Sequence, residues 1–154
     1  MLDELISYIK TNKLNAEVFE VNSEVHSAAK ASAAVSGDPN GLVKSILLID
    51  YPAKNPVLVI LLGPDKIDFE KVKNILGVKD VRMATSEEVI EITGYEVGGV
   101  PPISIYGVTV ILDKSASKKV EVISGGGDPM HLMRIKIQDI IEQNDDILIE
   151  DVKK

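Results

Sequence analysis

Four stretches of this chain carry residue types that could do chemistry. Lys44 sits inside an apolar run, GLVKSILLID, flanked by Leu42, Val43, Ile46 and Leu47. A lysine half-buried on a strand needs either a partner for its charge or an opening to water. The alternative is a position at the strand's wet end, with the stem lying along apolar surface. The preceding GDPNG does not make this a phosphate loop, because the lysine does not directly follow the second glycine and no strand precedes the first. Gly98-Gly99-Val100-Pro101-Pro102 combines two glycines, which allow close approach and positive φ, with two prolines, which stiffen the backbone and remove N–H donors. Such a segment can aim the remaining N–H groups at a carbonyl or an oxyanion; it can equally be a rigid connector. Ser124-Gly125-Gly126-Gly127-Asp128-Pro129 is a second glycine loop, either a place where a ligand's backbone or phosphate comes close or a loose hairpin turn. His131 follows it, and could serve as a proton donor, a ribose contact or a solvated side chain.

These segments need elements to hold them. Leu2, Leu5, Ile6 and Ile9 recur at helical spacing and predict a helix from residue 2 to about 12. Glu17 to Val21 reads as a short strand. Asn22 and Ser23 are N-cap candidates for an alanine-rich helix, His26 to Val35, stopped by Gly37. Leu42 to Asp50 and Val57 to Leu62 are predicted as buried strands joined by a proline-containing connection. Asp68 caps a short helix ending at Gly77. Thr85 and Glu88 have capping-box spacing for a helix ending at Gly94. Ile103, Ile105, Val108, Val110 and Leu112 fit one or two strands broken near Gly107. Further strands are expected at 120–124, 130–137 and 147–150, with a last helical turn at 139–143. Strands alternate with helices first and then run together, so the expected class is mixed α/β or α+β, not doubly wound.

Composition narrows the function classes. The chain has 154 residues, which fits one domain spanning 1–154, with 19 Ile and 18 Val against 4% aromatic residues. Cysteine is absent, excluding disulfides, thiolate zinc sites and a cysteine nucleophile; with only His26 and His131, one chain cannot build a three-histidine metal site. The formal charge of −7 argues against a protein that binds nucleic acid by covering many phosphates, though not against a local cationic contact. The longest apolar run, Val57 to Leu62, is six residues, and the N-terminus lacks a basic stretch followed by an apolar core. No membrane span or secretory signal is expected, and the cytoplasm is the expected location. Ser36, Ser45 and Ser124 lack a nucleophile-elbow context, and Asp145, Asp146, Glu150 and Asp151 read as a solvated charged tail.

In order along the chain, VKSIL, VLVILLGPDKIDFEKVKNILG, VRMATSEEVIEITGYEVGGVPP, VTVILD and VISGGG resemble the YbaK / prolyl-tRNA synthetase editing-domain family of aminoacyl-tRNA deacylases, from about residue 15 to residue 140. TGYEVGGVPP is the most specific piece, with Gly98 through Pro102 matching the family's glycine-x-x-x-proline loop. The resemblance implies a mixed, largely antiparallel, barrel-like sheet with flanking helices. It implies hydrolysis of the ester joining a wrong amino acid, such as Ala or Cys, to the 3′ end of tRNA(Pro), without metal or other cofactor and with the ribose 2′-hydroxyl helping to activate water. Lys44 would then face the terminal phosphate or ribose, and Gly98 and Gly99 would supply backbone contacts at the carbonyl, with Pro102 fixing the loop. Val25, Ala28, Ala29, Val100, Pro101, Gly125, Gly126 and His131 are the further candidate binding residues. Relatives often carry a glycine shortly after the loop proline, where this chain has Ile103 and Ser104. The expected partners are the aminoacyl-tRNA 3′ end and a synthetase, such as prolyl-tRNA synthetase. The competing class is a non-catalytic module that binds a nucleotide or tRNA end, or docks on a synthetase; the acidic charge and the absence of a protein acid–base pair favour it.

Overall fold

The computed structural model describes residues 2–21 and 41–154. The alanine-rich helix expected at His26 to Val35, and with it Val25, Ala28 and Ala29, lies outside the described residues.

The chain opens with helix α1 (Leu2–Thr11), which buries Leu5 fully and packs Tyr8 and Ile9 against the main core. Asp3 and Glu4 at its start and Lys10 near its end complement the helix dipole. Strand β1 (Glu17–Glu20) pairs antiparallel with β7 (His131–Lys136), which pairs antiparallel with β6 (Glu121–Gly125), giving a sheet in the order β1-β7-β6. A second sheet has the order β4-β2-β3-β5-β8, from β2 (Val43–Tyr51), β3 (Pro56–Leu62), β4 (Asp80–Met83), β5 (Thr109–Asp113) and β8 (Leu148–Glu150). Pairing is antiparallel for β2 with β3 and β4, and parallel for β3 with β5 and β5 with β8.

The unbroken apolar run in β3 follows from its position between two strands with both faces covered. Leu58 and Ile60 enter one core with Val43, Leu47, Val110 and Leu112. Val57, Val59 and Leu61 enter another with Leu48, Ile111 and Val72 of helix α2 (Phe69–Leu76). Each fully buried aliphatic side chain here contributes about 2 kcal/mol of transfer free energy. The two sheets meet at a single parallel bridge, Leu42 to Ile123, reinforced by the Ile123 N–H donating to Gly41 O at 2.8 Å. A third, small core of Leu42, Ile123 and Leu132 sits at this seam. Among the described residues, the barrel-like closure expected from the resemblance goes no further than this bridge.

Helix α3 (Ser86–Thr93) has the predicted capping box and a left-handed Gly94 at its end, as α2 has Asp68 and Gly77. Three local readings change. The apolar alternation at Ile103 and Ile105 does not make a strand: Ser104 at φ 66° and Gly107 at φ 72° turn the chain, and Ile103 is buried from a loop. A short helix, α4 (Lys114–Ser117), was not foreseen; Asp113, fully buried, caps it through the Ser115 N–H and also accepts from the Val152 N–H. The last helix, α5 (Ile137–Gln143), starts two residues earlier than expected. Among the described residues, no helix is long and apolar enough to cross a membrane.

Candidate functional site

The glycine–proline loop begins where α3 ends. The Thr93 hydroxyl donates to Val89 O at 2.7 Å and accepts from the Tyr95 N–H at 3.0 Å, turning the chain inward. Tyr95 is buried, which pushes its phenol above the usual range, and its hydroxyl lies 3.1 Å from Ser104 Oγ, closing the base of the loop. Glu96 to Gly99 forms a turn with the Gly99 N–H donating to Glu96 O at 2.9 Å. Gly98 has φ 91°, the left-handed conformation that the third position of a type II turn reserves for glycine. Val100, Pro101, Pro102 and Ile103 are all buried.

The second glycine loop packs directly on the first. The Gly127 N–H donates to Gly99 O at 2.9 Å. A Cβ on Gly99 would lie 2.5 Å from Asp128 Cα, and one on Gly125 would collide with the Val100 carbonyl. Glycine is required at both positions for backbone approach. Asp128 then organises the exit: its Oδ1 accepts from the Met130 N–H at 2.8 Å and lies 2.7 Å from His131 Nδ1. Burial works against ionisation of Asp128, but the hydrogen bonds from His131 and Met130 outweigh it and hold the carboxyl below its usual range.

Lys44 lies on β2 beside the seam. Lys44 follows the Leu42–Ile123 bridge by two positions on β2, as Gly125 follows it by two on β6. Lys44 is partly buried and makes no ion pair with any described residue. Burial lowers its pKa, and nearby Lys66 adds to the effect while Asp65 opposes it.

Of the predicted site residues, Gly98, Gly99, Val100, Pro101, Pro102, Gly125, Gly126 and His131 therefore form one contiguous group of loops, while Lys44 lies on β2 just past the Leu42–Ile123 bridge between the sheets. The Gly99 N–H is spent inside its own turn, whereas the N–H groups of Gly98 and Val100 have no acceptor among the described residues. Sequence reading missed Asp128 and Asn144. Asn144, not singled out in the sequence, continues the buried stripe of Ile137 and Ile140 and donates to Pro102 O at 2.9 Å. A polar residue on an apolar stripe needs a buried partner, and that was the available signal. Among the described residues, no three acidic or histidine side chains gather where they could hold a metal.

A family model described as the aminoacyl-tRNA editing domain matches residues 22–142. The chain belongs to the aminoacyl-tRNA editing domain family. The editing domain's sequence is 31% identical over 119 residues to the proline–tRNA ligase of Pediococcus pentosaceus, covering 75% of this chain and 20% of the ligase. It is 38% identical over 71 residues to that of Halalkalibacterium halodurans, covering 46% of the chain and 12% of the ligase. The chain thus spans about a fifth or less of the length of these curated relatives. The whole fold of the editing domain matches the crystal structure of a candidate trans-editing enzyme for prolyl tRNA synthetase, with TM-score 0.89 and 26% identity over 99% of this chain and 96% of that one.

Proposed function

We propose that this editing domain is an aminoacyl-tRNA deacylase acting in trans as a single domain. It would remove a small amino acid such as Ala or Cys from mischarged tRNA(Pro) by substrate-assisted ester hydrolysis. The observation that carries this reading is the mutual packing of the two glycine loops through Gly127 N–H and Gly99 O, beside Gly98 and Val100 N–H groups that have no acceptor among the described residues. The family match and the likeness to a candidate trans-editing enzyme support the same substrate class.

Water attacks the ester carbonyl carbon, the carbonyl oxygen gains negative charge, and the bond to the terminal ribose oxygen then breaks. The ribose oxygen leaves with a proton and the amino acid leaves as its carboxylate. The Gly98 and Val100 N–H groups are the donors placed to stabilise the developing oxyanion. The neighbouring ribose hydroxyl of the substrate orients the attacking water, so no protein acid–base pair is required. Lys44 meets the terminal phosphate or ribose. Its ammonium makes no ion pair with a described residue, and its lowered pKa rises again when an anion binds. One cation at one chain end also reconciles tRNA recognition with a net charge of −7. A synthetase partner would supply bulk tRNA affinity, and this work belongs in the cytoplasm.

The test is deacylation of Ala-tRNA(Pro), Cys-tRNA(Pro) and Ser-tRNA(Ala) by the purified chain. At least one ester should be cleaved, and Lys44→Ala should lower kcat/KM by about 10- to 100-fold, the usual worth of a hydrogen bond to a charged group. Circular dichroism should show the variant folded. A folded protein that cleaves none of them, yet binds an aminoacyl-adenosine analogue saturably, would be a binding module instead.

A further inference from the structure

Pro101 and Pro102 have no N–H, so across these positions the loop can be held from outside only through its carbonyls. The Pro102 carbonyl is held by the side-chain amide of Asn144, 42 positions further along, at 2.9 Å. The second hydrogen of the same amide goes to Ile140 O at 2.8 Å, one of the carbonyls that the end of α5 leaves without a helical partner. Both donors of Asn144 are therefore spent, and the residue is 8% exposed. The anchor behind it is stiff, because Ile137 and Ile140 seat α5 in the main core. The loop thus has two outside tethers: Gly127 holds Gly99 O, and Asn144 holds Pro102 O. Val100, whose N–H has no acceptor among the described residues, lies between them.

We propose that Asn144 is a positioning residue of the editing site, fixing the heading of the Val100 N–H through the Pro102 carbonyl. This rests on the deacylase reading above for its kinetic consequence, but not for its structural one. A carbonyl oxygen can be positioned here only by a donor. Asn144→Asp would set one acceptor against another, whereas Asn144→Ser keeps one hydroxyl donor to share between the two carbonyls. The effect belongs in kcat, since a donor off its line matters most when charge has developed on the substrate oxygen.

Two measurements on the full chain test this. In the first, native-state amide hydrogen exchange is followed at Gly99 and Gly127, whose N–H groups are hydrogen-bonded within the loop pair, and at Ile111 and Leu112 in the central sheet as controls. Asn144→Ala should accelerate exchange at Gly99 and Gly127 by about tenfold or more relative to the controls, because a local tether has gone while the core remains. In the second, Asn144→Ala should lower kcat for Ala-tRNA(Pro) by about tenfold or more with KM within about twofold. Asn144→Asp should fall below it, and Asn144→Ser should recover part of the loss. Equal acceleration at all four amides would make Asn144 a general stabiliser and overturn the proposal, as would unchanged exchange and kcat in a folded variant. If Asn144→Ala does not fold, Asn144→Ser carries both measurements. If the wild-type chain cleaves no ester, the deacylase reading fails on that ground alone and the exchange experiment still decides whether the tether holds the loop.

Discussion

Helix α3 and the glycine–proline loop adjoin in sequence and are held in opposite ways. The cap at the start of α3 is built from within a few residues, although Arg82, which joins it, also donates to the Tyr51 hydroxyl at 2.7 Å. Thr85 Oγ1 accepts from the Glu88 N–H at 3.2 Å, Glu88 Oε1 accepts from the Thr85 N–H at 2.9 Å, and Arg82 clamps the same carboxylate with two nitrogens at 2.7 and 2.9 Å. Gly94 closes the other end. The loop that follows has its own turn at Glu96–Gly99 but is otherwise held by Gly127 and Asn144, from the far half of the chain. A locally closed element keeps its shape when a neighbour shifts. A loop closed by distant partners keeps its shape only when the whole fold is docked, so its geometry reports on the packing of the entire chain.

The largest effect should come from filling the space between the loops. Gly125→Ala puts a methyl group onto the Val100 carbonyl, and backbone on both sides leaves nothing flexible to yield. It should destabilise the protein by about 3 kcal/mol, read from the midpoint of urea unfolding, and abolish deacylation. Gly98→Ala separates conformation from contact, since nothing lies within 4 Å of the new methyl but the residue must hold φ 91°. It should cost about 1–2 kcal/mol. Equal losses at the two positions would mean that close approach is not what the Gly125 site requires. Thr85→Ala removes the cap of α3 and should cost about 1 kcal/mol, with kcat and KM unchanged. A kinetic effect from that substitution would erase the contrast between the two regions.

The same contrast explains what could be read in the sequence. The ends of α2 and α3 were legible because Asp68, Gly77, Thr85, Glu88 and Gly94 carry their instructions within one turn. The double-sided burial of β3 was legible from an unbroken apolar run. Ile103 and Ile105 were misread because their spacing is that of a strand, while the positive φ at Ser104 comes from a non-glycine residue with no local signature. In the site, the two glycine loops stood out by composition, but their contact through Gly99 and Gly127 depends on the β6–β7 hairpin returning beside α3. That the Gly99 N–H is taken up inside its own turn depends on a hydrogen bond to Glu96 O that composition does not announce. Asn144 was hidden for a related reason: its partner Pro102 is 42 residues away, and only the buried stripe of α5 hinted that a polar residue there had to be satisfied.

The smallest expected effect lies in the Arg82–Glu88 clamp, and pH sharpens it. The Arg82 hydrogen bonds, followed by the Thr85 backbone N–H, hold the Glu88 carboxyl at about 2, against 4.5 for an unperturbed glutamate. The folded state binds this proton less readily than the unfolded state does, so stability from this group is present in full above about 4.5 and is lost as pH falls toward 2. Both partners are solvent-accessible, which screens the pair and keeps its contribution modest at neutral pH. Glu88→Gln should therefore unfold at slightly lower temperature than wild type at pH 7, and the two melting curves should converge as pH is lowered from 4.5 to 2. The glutamine can still accept from the Thr85 N–H, so the pH-dependent part of the difference isolates the charge on the clamp from its hydrogen bond. A gap that stayed constant through that window would assign the clamp's contribution to packing of the Arg82 stem instead.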